Sequence, residues 1–137
     1  MAVGDVRETI RCILPVLVDN TKKAHRTSGR LYYRFGVVSL IFGKPRLGDF
    51  FDPSSQTLRL PPSDCERLRV EELIDLAKKQ EDYLPVLIPC SDEALAFVTR
   101  NKTRLETYFI LADADTLLSD SPFVRTEDAL RIQTHAK

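Results

Sequence analysis

The stretch that decides the fold is Leu84–Glu93, LPVLIPCSDE, an apolar run that stops at Cys90 and then turns helical. An apolar run of this length, punctuated by Pro85 and Pro89, reads as a short strand buried on both faces, which is the mark of a parallel sheet. Ser91 is a good helix N-cap, and Asp92 and Glu93 fall in the first helical turn, where the helix dipole favours carboxylates. In an open α/β sheet, ligands bind in the crevice outside the carboxyl ends of the strands. The same polar residues are therefore both a helix start and a candidate site. On this segment alone the helix start is the better reading.

Working outward, strand and helix alternate. Cys12–Val18 (CILPVLV) is a continuous apolar run and reads as the first strand, closing on Asp19-Asn20. Pro15 is awkward in a central strand and calls for a bulge or for incomplete pairing beside it. Ala24, Ser28, Leu31, Tyr32 and Phe35 share one helix face, and Gly36 stands where a C-terminal cap belongs. Lys22, Lys23, Arg26, Arg30 and Arg34 line the solvated remainder. Val37–Phe42 is the second strand and ends at Gly43-Lys44-Pro45. Arg46–Pro62 reads as irregular, with Thr57–Leu60 as a short edge strand.

Glu66–Asp82 is the clearest helix, with Val70, Leu73, Ile74 and Ala77 as its apolar stripe and Asp75 paired with Lys79. Leu84–Ile88 follows as a strand, then a helix over Asp92–Arg100, a helical piece near Lys102–Glu106 and a strand over Tyr108–Ala112. Strands separated by helical segments imply a parallel sheet with right-handed crossovers. The expected fold is α/β, a Rossmann-like three-layer domain with a mostly parallel sheet, spanning residues 1–118. Residues 119–137 read as a C-terminal extension, broken at Ser121-Pro122, with a short helix from Thr126.

Composition narrows the function classes. A chain of 137 residues, 43% hydrophobic, fits one domain with a real core. Twenty basic against twenty acidic side chains argue against an electrostatic nucleic-acid binder and against a membrane-surface role. No apolar run approaches the ~20 residues of a transmembrane helix. Asp5, Arg7 and Glu8 interrupt any secretory signal at the start. Cys12, Cys65 and Cys90 are odd in number and widely spaced, which disfavours a disulfide framework or zinc site and makes the cytoplasm the expected compartment.

The chemistry-bearing residues are few. No glycine-rich turn follows the first strand; Asp19-Asn20-Thr21-Lys22 occupies that corner, which disfavours a dinucleotide site. His25 and His135 have no ligand partner by spacing and read as exposed surface residues. Cys90 reads as a buried small side chain, since no histidine base is placed near it. What remains is a set of polar residues at strand ends: Asp19, Asn20, Lys44, Ser91 and Asp92. They are the candidate substrate-binding residues. Lys44 would neutralise a carboxylate or phosphate, Asn20 and Ser91 would hydrogen-bond it, and Asp19 or Asp92 would take an amine. The competing reading makes Asp19 and Ser91 helix caps and Lys44 a solvated turn residue. Phe50, Phe51 and Phe123 lie in irregular segments and make self-association an expectation.

The order ILPVLVDN…GRLYYRFGVVSLIFGKP, an acidic-aromatic loop, then LIDLAKK…LPVLIPCSDEALAFVTRNKTRLETYFILAD…LL resembles the N-terminal, pre-ATP-grasp domain of ATP-grasp carboxylate–amine ligases, particularly the D-aspartate-ligase-like branch. The resemblance covers about Ile13–Leu118. It implies a substrate-side domain whose partner is a nucleotide-binding ATP-grasp domain or subunit. In such ligases a lysine opens the nucleotide-binding part; here Leu117-Leu118-Ser119-Asp120-Ser121-Pro122 stands in that place. The expectation is therefore a detached or truncated domain, not catalytic alone and with no cofactor of its own. ATP and magnesium are implied only for a complete ligase. The alternative is a small α/β interaction or regulatory domain without small-molecule chemistry.

Overall fold

The apolar runs become five strands in the computed structural model, which describes residues 13–59, 65–80 and 82–117. They are β1 (Ile13–Val18), β2 (Ser39–Phe42), β3 (Ser55–Leu58), β4 (Leu84–Pro89) and β5 (Ile110–Leu111). All pair in parallel, in the order β3-β2-β1-β4-β5. The helices are α1 (Lys22–Phe35), α2 (Glu66–Lys78), α3 (Asp92–Arg100), α4 (Lys102–Leu105) and α5 (Ala114–Leu117), with a 3-10 turn over Leu47–Phe51. The extension 119–137, with Phe123, His135 and the helix expected from Thr126, lies outside the described residues, as do Cys12 and the side chain of Phe50.

Because successive side chains of a strand point to opposite faces, the central strand β1 feeds two cores. Ile13 and Leu17 join Val86, Ile88 and Ile110 beneath the α1 residues Ala24, Leu31 and Phe35. Val16 and Val18 join Leu87 and Leu111 beneath Val70, Leu73 and Ile74 of α2 and Phe97 and Val98 of α3. The result is a Rossmann-like α/β domain of three layers. The chain runs outward from β1 through α1 to β2 on one face, and returns through α2 to β4 on the other, as a single crossover hand requires.

Prolines are tolerated where one neighbour is missing. β4 pairs along all of β1, from Ile13↔Leu84 to Val18↔Pro89, whereas β2 joins only from Val16↔Leu40 onward. Pro15 thus sits one residue before the first β1–β2 pair, where a missing ladder N–H costs nothing on that side. Pro85 and Pro89 similarly flank the two-residue pairing of β4 with β5, Val86↔Ile110 and Leu87↔Leu111.

The boundaries shift for local reasons. Gly36 takes the left-handed conformation at φ 70°, its N–H reaching Tyr32 O, and the Val37 N–H reaches back to Leu31 O. Val37 is spent on that cap, so β2 opens at Ser39. The edge strand begins at Ser55, two positions before the expected Thr57. Helix α2 keeps its stripe of Val70, Leu73, Ile74 and Ala77 but ends at Lys78. Lys79 is already its C-cap, and no Asp75–Lys79 ion pair forms among the described residues; Arg67–Glu71 makes the pair at that spacing. No described helix is long and apolar enough to cross a membrane. Phe51 is 84% exposed, as is Leu47, both on the 3-10 turn.

Candidate functional site

Parallel pairing carries the ends of β1, β2 and β4 to one edge. There the chain ends are stitched together: Asp19 N–H donates to Phe42 O, Gly43 N–H to Leu58 O and Cys90 N–H to Val18 O. Thr21 accepts from Ala24 N–H as the N-cap of α1 and donates its hydroxyl to Cys90 O at 2.8 Å, joining the turn after β1 to the end of β4. Asp19 has φ 86°, the one non-glycine with positive φ among the described residues. Asp tolerates this region better than most side chains, and its carboxylate accepts the Asn20 N–H at 3.0 Å.

Above this edge lies a cleft of about 880 Å³. Its floor is Val18, Phe42 and Gly43, and its walls carry Asp19, Lys44, Arg59, Glu66, Arg69, Glu93 and Arg100, with Phe97 from α3. Glu66, at the start of α2, and Arg100, at the end of α3, are bridged across the rim, with Arg100 Nε 3.1 Å from Glu66 Oε1 and the Asn101 amide 3.2 Å from Oε2. The hydrogen bond from Arg100, reinforced by Asn101, holds the Glu66 carboxyl below its ordinary value.

The five expected site residues divide. Asp19 and Lys44 line the cleft. Asn20 stands behind it, 5% exposed, its amide donating to Lys44 O at 2.9 Å and to Asp49 Oδ2 at 2.8 Å. Ser91 caps α3, accepting from Ala94 N–H at 3.0 Å. Asp92 is exposed and outside the cleft lining, which takes its neighbour Glu93 instead. Arg59, Glu66, Arg69, Glu93 and Arg100 escape a reading based on strand ends, because they arrive from helix faces and from beyond the edge strand.

His25 requires correction. Expected as an exposed surface residue, it is half-buried. Its Nδ1 stands 3.0 Å from Asp52 Oδ2, and its Nε2 stands 2.7 Å from Asn20 Oδ1 and 3.2 Å from Asp49 Oδ1. Its carboxylate partners sit on a loop more than a strand away in sequence, so spacing could not reveal them. Burial alone would raise the Asp49 carboxyl; the Arg46 N–H, Asn20, His25 and Thr57 outweigh it and leave it lowered. Asp52 is likewise lowered, burial being outweighed by the Ser54 hydroxyl and N–H, His25 and Ser55.

Cys90 is buried as expected, and burial pushes its thiol up to about 12, far from a nucleophile's range. Among the described residues no group of three His, Cys, Asp or Glu side chains could hold a metal ion. No protein-family model, curated protein or solved structure matches the chain. The cleft lining mixes carboxylates with lysine and arginine side chains, so charges of both signs border the same space.

Proposed function

We propose that this domain is the substrate-side part of an ATP-grasp-type carboxylate–amine ligase, acting with a nucleotide-binding ATP-grasp domain or subunit. That partner would supply the ATP and magnesium sites, and the work would be cytoplasmic. One observation carries the reading: adjacent parallel strands deliver a carboxylate, Asp19, and an ammonium, Lys44, into one cleft at the carboxyl edge of the sheet. This is where open α/β sheets hold ligands. Lys44 faces the carboxylate of an amino-acid substrate and Asp19 its amine, while Arg59 or Arg69 serves a second acidic group.

Amide NMR titration with D- and L-aspartate tests this. Shifts confined to Asp19, Gly43, Lys44, Arg59, Arg69 and Glu93 are expected, and Mg·ATP alone should bind no tighter than the millimolar range. An absence of shifts at tens of millimolar aspartate would leave the interaction-domain reading standing. A micromolar constant for Mg·ATP would show that the domain binds nucleotide itself.

A further inference from the structure

His25, on the first turn of α1, sits outside the cleft but behind its rim. Its three close neighbours are all acceptors. Asp52 Oδ1 takes the Ser54 N–H at 2.9 Å and the Ser54 hydroxyl at 2.6 Å, and Oδ2 takes the Ser55 hydroxyl at 3.2 Å and faces His25. Asp49 Oδ2 takes the Arg46 N–H at 2.6 Å and the Asn20 amide, and Oδ1 faces His25. These donors keep both carboxylates ionised. Asn20 cannot turn over. Both its amide hydrogens are spent on Lys44 O and Asp49 Oδ2, and reversal would set its oxygen against those two acceptors. Asn20 therefore presents oxygen to His25.

A neutral imidazole has one N–H and one bare lone pair. Among these neighbours the lone pair would face an oxygen with no proton between them. Only the ring carrying both protons satisfies every contact. We propose that His25 is a proton-operated latch, holding the loop of residues 44–55 on the start of α1 and so setting Lys44 at the rim of the cleft. Loss of the second proton turns one attractive contact repulsive. The loop then loosens, and with it the hold of Asn20 on the Lys44 carbonyl.

The other charged groups on the surrounding elements are Arg46, whose guanidinium reaches Asn20 O at 3.1 Å, Lys44 on the same loop, Asp19 on the turn after β1, and Lys22, Lys23, Arg26, Arg30 and Arg34 on α1 itself. Lys23 pairs with Asp115. Strand β3 brings no charged group. The His25 side chain is 27% exposed, enough for its proton to exchange with water while the fold stays intact. The latch concerns loop order and needs no ligand, so it stands or falls separately from the ligase reading.

The test is an NMR titration of the free protein from about pH 5 to about pH 9, the span in which histidine changes charge. The His25 ring resonances and the amides of Asp49, Phe51 and Asp52 should share one midpoint, with amide exchange in this loop about tenfold faster in the deprotonated state, after correction for intrinsic exchange. In Asp52→Asn the ring loses a carboxylate, and ring and loop should move together to a lower midpoint. His25→Gln should remove the step, leaving the loop in its fast-exchanging state throughout. Loop amides that ignore the ring titration, or a step that survives unchanged in His25→Gln, would overturn the latch.

Discussion

Gly43 lies so close to Asn20 that a β-carbon at position 43 would stand 2.6 Å from the Asn20 backbone nitrogen and 2.9 Å from its β-carbon. The turn after β2 is therefore pressed against the turn after β1, and that contact forms the floor of the cleft between Asp19 and Lys44. No flexible side-chain end is available to give way. Gly43→Ala should destabilise the fold by about 1–3 kcal/mol, the usual cost of overpacking a tight site. Urea denaturation measures it, and a midpoint equal to that of the parent protein would mean that the two turns separate freely.

Asp19 separates strain from charge. At φ 86° it holds a backbone conformation that glycine adopts without penalty. Asp19→Gly should leave stability unchanged or raised by up to ~1 kcal/mol, while Asp19→Val should lower it by at least ~1 kcal/mol. Both remove the carboxylate, so both should weaken aspartate binding. Affinity that follows stability, rather than the carboxylate, would remove Asp19 from the site.

The residues at the start of α3 and at the end of β2 should behave differently from one another. Ser91→Ala removes an N-cap and should cost ~1 kcal/mol. Asp92→Ala should cost at most ~0.5–1 kcal/mol through the helix dipole. Neither should alter aspartate shifts. Lys44→Ala should abolish them with little change in stability, because Lys44 is exposed and only its carbonyl is used structurally. In a complex reconstituted with a nucleotide-binding partner, a tenfold loss of turnover in Asp92→Ala would return Asp92 to the site.

The sheet is legible in the sequence because burial on both faces leaves unbroken apolar strands, and α3 runs from Asp92 to Arg100 as its cap and stripe imply. The strand ends are legible for the same reason, which is how Asp19 and Lys44 are found. The cleft walls are not. Adjacent helix positions differ by about 100°, so Glu93 turns to the cleft and Asp92 to solvent, and only the docked helix decides between them. Arg69 and Arg100 look like solvated charge until α2 and α3 are placed, and Arg59 until the edge strand β3 is. His25 is hidden more deeply, since Asp49 and Asp52 reach it only once β3 has folded back beside β2.

That same folding-back makes the loop sensitive to acid. Asp49 and Asp52 are both lowered in the folded protein despite burial, the first chiefly by the Arg46 N–H and the second by the Ser54 hydroxyl. A carboxyl lowered on folding contributes stability above its unfolded value, near 4. It loses that contribution as pH falls through the lower folded value. Stability should therefore be level with respect to these two groups from pH ~5 upward and fall below pH ~4. Asp49→Asn and Asp52→Asn should each be less stable than the parent at neutral pH, with the difference narrowing in acid. Urea midpoints measured across that range decide it. A difference that stays constant down to the lowest accessible pH would mean that the two carboxylates gain nothing from their charge.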